Sequence, residues 1–208
     1  MEGAQGHMLE RKNKFRAIFI GAILLLGAGM PPSCADESIT FGPRETKIEG
    51  SIKYLALGNY TAHFKDFKGQ VIWDENSRQV RSVYLNITAA SIKSEHPRYD
   101  RLALSRRLLY ARRYPKIIFK SDKIIRDGSG YKVEGVLEMR GIKRRMLFPF
   151  KAGIAIDEET KRKILEIRGR WVINRKDFNI IWNKYLDQGG VLVSDDFIVD
   201  WGIRAYIK

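Results

Sequence analysis

Apolar residues recur at every second position over much of this chain, and that period leaves few folds open. Val83, Leu85, Ile87 and Ala89 fall on one side of an extended segment, with Tyr84, Asn86 and Thr88 on the other. Val133, Leu137 and Met139 oppose Lys132, Glu134, Glu138 and Arg140. Met146, Phe148 and Phe150 alternate with Leu147 and Pro149, and Ile167, Gly169, Trp171 and Ile173 alternate with Glu166, Arg168, Arg170 and Val172. Phe197, Val199, Trp201, Ile203, Ala205 and Ile207 form one more such face. A period of two is that of a strand with one side in a core. Many such strands make a closed barrel or a sandwich. Turn chemistry separates them: Asp74–Ser77, Asp127–Gly130, Asp157–Lys161 and Asp187–Gly190 carry the Asp, Asn and Gly that tight turns need. From about Gly50 onward the chain reads as strands. The exception is Pro97–Arg113, where Tyr99, Leu102, Ala103 and Leu109 share a loose helical face and Pro115 ends the segment.

The leading segment is not part of that pattern. Arg11, Lys12, Lys14 and Arg16 precede an uncharged run from Ala17 to Met30, broken by Pro31-Pro32 and followed by Ser33-Cys34-Ala35. A basic stretch, a short apolar run and small residues before a cut describe a secretory signal, and the run is short for a membrane span. Cleavage after Ala35 is expected, leaving 36–208 as one domain, exported to the periplasm or secreted. The other readings of this stretch are an uncleaved anchor and a lipoprotein anchored through Cys34. Cys34 is the only cysteine, so a cleaved chain has no disulfide, no two-cysteine redox chemistry and no thiolate zinc site. Of the formal net charge of +14, the segment through Ala35 carries four bases and two acids, which leaves +12 on the rest. Such a surface draws anionic partners; export disfavours nucleic acid and favours anionic lipid.

Several stretches, in order, resemble a known family. They are Phe64–Gly69 with Trp73-Asp74, then Ala90-Ser91-Ile92, with Asp100 at the place of an acidic residue. Tyr114-Pro115-Lys116-Ile117-Ile118-Phe119-Lys120-Ser121, Val133–Leu137 through Gly141–Lys143, Ile173–Asn179 and Val193–Phe197 complete the series. From about Gly50 to Lys208 the chain is similar to the YceI-like family, whose members are lipocalin-like barrels that bind polyisoprenoid lipids. The resemblance implies a mainly β fold: an antiparallel, lipocalin-like β-barrel of about eight strands with one short helical segment. Tyr99-Asp100 and Leu102-Ala103 stand where the family often has Arg-Asp and His-Leu, Leu108-Leu109 replaces Phe-Phe, and arginine is unusually dense nearby.

Nothing in the sequence assembles an acid, a base and a nucleophile. His7 precedes the domain, His63 and His96 lack metal-ligand spacing, and neither G-x-S-x-G nor G-x-x-x-x-G-K occurs. The expectation is a non-enzymatic protein without catalytic cofactor or metal. The resemblance implies an apolar lumen for an isoprenoid-type lipid, a quinone or a polyprenyl phosphate, contacted by Ile87, Phe119, Met139, Phe148, Trp171 and Trp201. A hollow barrel and a solid one produce the same alternation, so the residues alone leave an empty barrel used for interaction or adhesion as the other reading. Arg175 either grips a pyrophosphate through its planar fork or pairs with Asp177 or nearby carbonyls to fix a turn. Arg101, Arg106, Arg107, Arg112 and Arg113 either meet an anionic membrane or form a solvated helix face. The sequence does not set the oligomeric state.

Overall fold

The alternating segments form eleven strands: β1 (Asp36–Phe41), β2 (Thr46–Tyr54), β3 (Gly58–Phe64), β4 (Phe67–Asp74), β5 (Gln79–Thr88), β6 (Ile92–Ser94), β7 (Lys116–Asp127), β8 (Gly130–Met139), β9 (Ile142–Ile156), β10 (Lys163–Asn174) and β11 (Val193–Tyr206). One helix, α1 (Pro97–Leu104), stands between β6 and β7. The structure is a computed structural model that describes residues 36–44, 46–54, 58–182 and 193–207. The leading segment with Cys34 and the expected turn at Asp187–Gly190 lie outside the described residues.

All neighbours are antiparallel, in the order β1-β4-β5-β7-β8-β9-β10-β11-β2-β3-β6. The registers reconcile eleven strands with the expected count of about eight. Phe41 pairs with Gly69 across β1 and β4, and Glu49 with His63 across β2 and β3, so these four strands are one long hairpin bent in the middle. β5 pairs with β4 and, after a 3₁₀ turn at Ala89–Ser91, continues as β6 against β3. The chain therefore makes eight runs: β1–β2, β3–β4, β5–β6, β7, β8, β9, β10 and β11. Each run pairs with the next, and β11 returns to β2, which closes the curled sheet into an up-and-down barrel and leaves no long free edge.

The strands begin earlier than expected, at Asp36 rather than near Gly50. Ile39 and Phe41 of β1 are buried, but six residues with two buried positions show too little alternation to be read from sequence. In β8 the pattern is complete: Tyr131, Val133, Gly135, Leu137 and Met139 turn inward, and Lys132, Glu134 and Glu138 do not. The β8–β9 connection is two residues, Arg140 (φ 53°) and Gly141 (φ 73°), the paired left-handed geometry that matches strand twist in a tight hairpin. At the β4–β5 turn the buried Asp74 carboxylate accepts from the Ser77 amide at 3.0 Å and pairs with Arg81.

The helix is shorter than the segment Pro97–Arg113 expected from sequence. Pro97 opens it at a position where a missing N–H costs nothing. Ser105 closes it: its backbone is extended, and its hydroxyl and amide both donate to the Leu102 carbonyl. Residues 106–113 then fold into turns tied back to the helix by Leu109 N to Ala103 O (2.9 Å) and Ala111 N to Leu104 O (3.2 Å). The barrel thus has two unlike ends. The turns at Asp74–Arg78, Asp127–Gly130 and Asp157–Arg162 form a hairpin end, where Lys163 of β10 reaches Glu75 and the Tyr131 hydroxyl reaches the Arg78 carbonyl. α1, residues 105–115, the Arg140-Gly141 turn and the 3₁₀ turn Arg175–Phe178 form the helix end.

Candidate functional site

The half of the barrel at the hairpin end is solid. Val71, Trp73, Val80, Tyr131, Val133, Phe150, Leu165 and Ile167 fill it, and Tyr131 stacks on Phe150 with ring centroids 5.1 Å apart. The half at the helix end holds a cavity of about 820 Å³, within the ~300–1,000 Å³ of typical small-molecule sites. Its floor is aromatic. Trp171 lies 5.2 Å from both Phe119 and Trp201 and stacks from behind on Phe148 at 4.1 Å with an interplanar angle of 6°. Trp201 can lie across the lumen because its β10 partner is Gly169, where a Cβ would come within 2.7 Å of the indole nitrogen. Ile48, Ala62, Ile87, Leu137, Ile173 and Phe197 are among the wall residues. Tyr99, Leu102 and Ala103 of α1, with Leu108 and Leu109 of the following turns, cover the open end.

Polar groups are few and grouped. Asp100, on the first turn of α1, is buried and accepts from the Ser94 amide (2.8 Å) and hydroxyl (2.6 Å), with Lys93 at 3.6 Å. Burial raises the pKa of this carboxyl, but the Ser94 hydroxyl and amide and the Lys93 ammonium outweigh it and leave it lowered. Tyr60 meets Tyr99 edge-on at 4.7 Å. Burial lifts the Tyr60 hydroxyl pKa, with Ser94 pulling the other way. On the cavity floor the indole nitrogens of Trp171 and Trp201 are buried with no hydrogen-bond partner. Among the described lining residues there is no Lys or Arg, and the charged ones are Glu49 and Glu95. Among the described residues no three His, Cys, Asp or Glu side chains gather as metal ligands.

Ile87, Phe119, Met139, Trp171 and Trp201 line the cavity, as the alternation places them. Phe148 is buried but does not line it, because the Trp171 ring stands between Phe148 and the open space. Arg175 is also absent from the lining. Its guanidinium is fully buried and donates to the carbonyls of Ser194 (2.9 Å), Ile180 (2.7 Å) and Trp182 (2.8 Å) and to Asp195 at 2.9 Å. The partner carboxylate is Asp195 rather than Asp177, and these bonds commit the fork to holding the crossing from β10 to β11. Asp195 is held below its ordinary pKa, first by its hydrogen bond from Lys176. Arg106, Arg107, Arg112 and Arg113 are exposed on the turns rather than on a helix face, and Arg101 is exposed on α1.

Sequence reasoning did not single out Tyr60, Ser94, Phe197 or Trp182 as lining residues. Tyr60 lies in the long bent hairpin, whose pairing is not visible in local pattern. Trp182 follows the 3₁₀ turn Arg175–Phe178 and lines the cavity, with its carbonyl held by Arg175, a contact that no local pattern announces. The loose face of Tyr99, Leu102, Ala103 and Leu109 was the legible trace of the cover.

Comparison with known proteins places this architecture. Residues 39–205 match the model of the YceI-like domain. The protein YceI of Escherichia coli O17:K52:H18 is 27% identical over 161 residues, which cover 76% of this chain and 83% of that protein. Among solved structures, Burkholderia cenocepacia BcnA aligns with a TM-score of 0.64 at 22% identity, over 77% of this chain and 96% of that one. A polyisoprenoid binding domain from Saccharophagus degradans, implicated in plant cell wall breakdown, aligns with a TM-score of 0.55 at 10% identity, over 82% and 98%. The likeness to these structures is one of fold. With the family's domain spanning nearly all of the described barrel, this chain belongs to the YceI-like family.

Proposed function

We propose that this protein is a non-enzymatic carrier that holds an isoprenoid-like lipid in the hollow half of its barrel after export to the periplasm. The observation that carries the reading is the apolar cavity of about 820 Å³, floored by Phe119, Trp171 and Trp201 and covered by Leu108 and Leu109. Each buried methylene of a lipid tail is worth roughly 0.8 kcal/mol, so several isoprene units outweigh the freedom they lose on binding. The Saccharophagus degradans neighbour, described as a polyisoprenoid binding domain, supports the same class of ligand.

The lining favours an uncharged head. A phosphate buried without a permanent cation is strongly disfavoured; among the described lining residues there is neither Lys nor Arg, and His63 and His96 share the lining with the carboxylates Glu49 and Glu95. The indole nitrogens of Trp171 and Trp201 are enclosed in the wall, that of Trp201 against Gly169, so the floor presents aromatic faces rather than charge to the guest. A quinone-type lipid therefore fits better than a polyprenyl phosphate. Protein stripped of lipid by denaturation and refolding, then offered a long-chain quinone, a polyprenyl phosphate and a polyprene hydrocarbon in native mass spectrometry, tests this. The expected result is one lipid per chain, with the quinone preferred. A preference for the phosphate overturns the head assignment. Uptake of none of the three overturns the carrier reading and leaves an empty interaction module. N-terminal sequencing of exported protein is expected to begin at Asp36; a diacylglycerol adduct on Cys34 would place the protein on a membrane face instead.

A further inference from the structure

The excess of positive charge is not spread evenly along the barrel. From Pro97 to Lys116, the segment that covers the cavity, there are seven bases (Arg98, Arg101, Arg106, Arg107, Arg112, Arg113 and Lys116) and one acid, Asp100. That acid is buried and already engaged with Ser94 and Lys93. The three turns of the hairpin end, residues 74–78, 127–130 and 157–162, carry six acids and three bases. On the walls between, several arginines are matched: Arg145 pairs with Asp122 and Glu134, Arg168 with Glu166, Arg170 with Asp200 and Arg204 with Glu166, and the rest of the excess is spread over a far longer stretch of chain. No such pairing with a described carboxylate occurs at Arg106, Arg107, Arg112 or Arg113. Arg106 and Arg113 instead lie 5.6 Å from the ring centres of Tyr110 and Tyr114.

The same turns face two media. In the run Arg106–Leu109 two arginines point to water, while Leu108 and Leu109 line the cavity. The cover is also firmly held. Arg140, in the adjacent hairpin, donates to the Arg106 carbonyl at 2.9 Å and to the Asn179 carbonyl, which joins the cover to the β10–β11 crossing. A fixed collar of unmatched arginines, with tyrosines beneath them and a lipid-sized apolar cavity directly behind, matches a surface that is anionic, flat and continuous with hydrocarbon. Acidic proteins supply the charge but not the hydrocarbon.

We infer that the helix end docks on anionic lipid bilayers through Arg106, Arg107, Arg112 and Arg113, so that the cavity cover faces the membrane. Attraction of exposed bases to an anionic surface acts within about a Debye length, ~8–10 Å at physiological salt. Docking is therefore salt-sensitive and requires this end rather than the hairpin end to approach. The inference concerns the outer surface and holds whatever lipid fills the barrel.

The test is sedimentation of the mature protein with phosphatidylglycerol vesicles and with phosphatidylcholine vesicles, at low and high salt. Binding is expected to phosphatidylglycerol only and to fall as salt rises. The variant R106Q/R107Q/R112Q/R113Q is expected to lose roughly a hundredfold or more in vesicle affinity, since each base contributes several-fold near an anionic surface. A control with the same charge change at the hairpin end, R78Q/R126Q/K161Q/R162Q, separates a docking face from bulk charge. It is expected to bind within a few-fold of the parent, and circular dichroism of both variants is expected to match the parent. Equal loss in the two variants would mean that net charge alone drives binding and would overturn the inference. So would equal binding to the two vesicle types, or failure to bind phosphatidylglycerol together with capture of a polyglutamate peptide, which would point to an acidic protein partner.

Discussion

The two halves of this barrel are built from the same alternating strands and end up as different materials. At the hairpin end, inward side chains from opposite walls meet: Trp73, Tyr131, Phe150 and Leu165 leave no room for a guest. At the helix end the inward groups include small ones, Gly50 and Ala62 on the wall and Ala103 on the cover, and the space between them stays open. The stacked pair Phe148 and Trp171 marks the boundary, one ring inside the solid half and the other at the cavity floor. Tight packing and open volume are therefore separated along one axis. Packing density holds the barrel together at one end, and a deficit of packing at the other leaves dispersion and burial energy for a lipid to gain.

Cutting a large side chain out of each half gives the widest contrast. Trp73→Ala in the solid half should destabilise the lipid-free protein by about 3–5 kcal/mol, the usual cost of a deleted aromatic that neighbours cannot replace. Leu108→Ala in the cavity cover should cost the lipid-free protein less than about 1 kcal/mol, because one side of Leu108 already faces open space, yet weaken lipid uptake several-fold. Urea titration paired with native mass spectrometry reads both. Equal destabilisation at the two sites would mean that the helix end collapses when empty.

Adding a methyl group sharpens the same contrast on a smaller scale. A Cβ at Gly135 would lie 2.4 Å from the Lys120 carbonyl oxygen and 2.8 Å from the Ser121 Cα, both backbone atoms that have little room to move. At Gly50 its nearest neighbour would be the Ala62 carbonyl oxygen at 3.9 Å. Gly135→Ala is expected to cost about 1–3 kcal/mol by overpacking. Gly50→Ala is expected to be neutral or to stabilise by up to about 1 kcal/mol through the unfolded chain. Thermal melts of the two lipid-free variants check this; a comparable loss at Gly50 would contradict an open wall there.

Acid should weaken both ends together, and this is the smallest distinction between them. Asp74 at the hairpin end is held well below the usual carboxylate range, first by the Ser77 amide and hydroxyl. Asp100 and Asp195 at the helix end are also lowered. A carboxyl whose folded pKa is depressed adds stability above its unfolded value of about 3.9 and loses it as pH falls toward the folded value. Stability should thus be flat above about pH 5 and decline below about pH 4. Asp74→Asn and Asp100→Asn should each flatten part of that decline, measured by urea midpoints at graded pH. A midpoint unchanged down to pH 3 would remove both carboxylates from the account.

The resemblance of motifs such as Tyr114–Ser121 and Ile173–Asn179 to the YceI-like family was enough to place the barrel, and local pattern was enough to orient most of its wall. Ile87, Phe119, Met139, Trp171 and Trp201 could be assigned to the inside because a strand's faces alternate with a period that does not depend on the partner strand. Tight turns could be located for a similar reason: Asp, Asn and Gly satisfy backbone demands that are local. The bent hairpin of β1–β4 could not, since its register depends on residues far apart in the chain.

What the sequence determined by itself is therefore which side of each strand is apolar, where the chain reverses and how much positive charge it carries. Whether the apolar sides meet was decided only by tertiary structure. Trp171 and Phe148 have the same sequence signature, yet one faces open space and the other is buried behind it. Arg175 and Arg107 are both arginines in connecting segments, yet one is spent on three carbonyls and Asp195 and the other faces water. Void volume and the pairing of charges are sums over groups from several strands, and no window of one strand contains them.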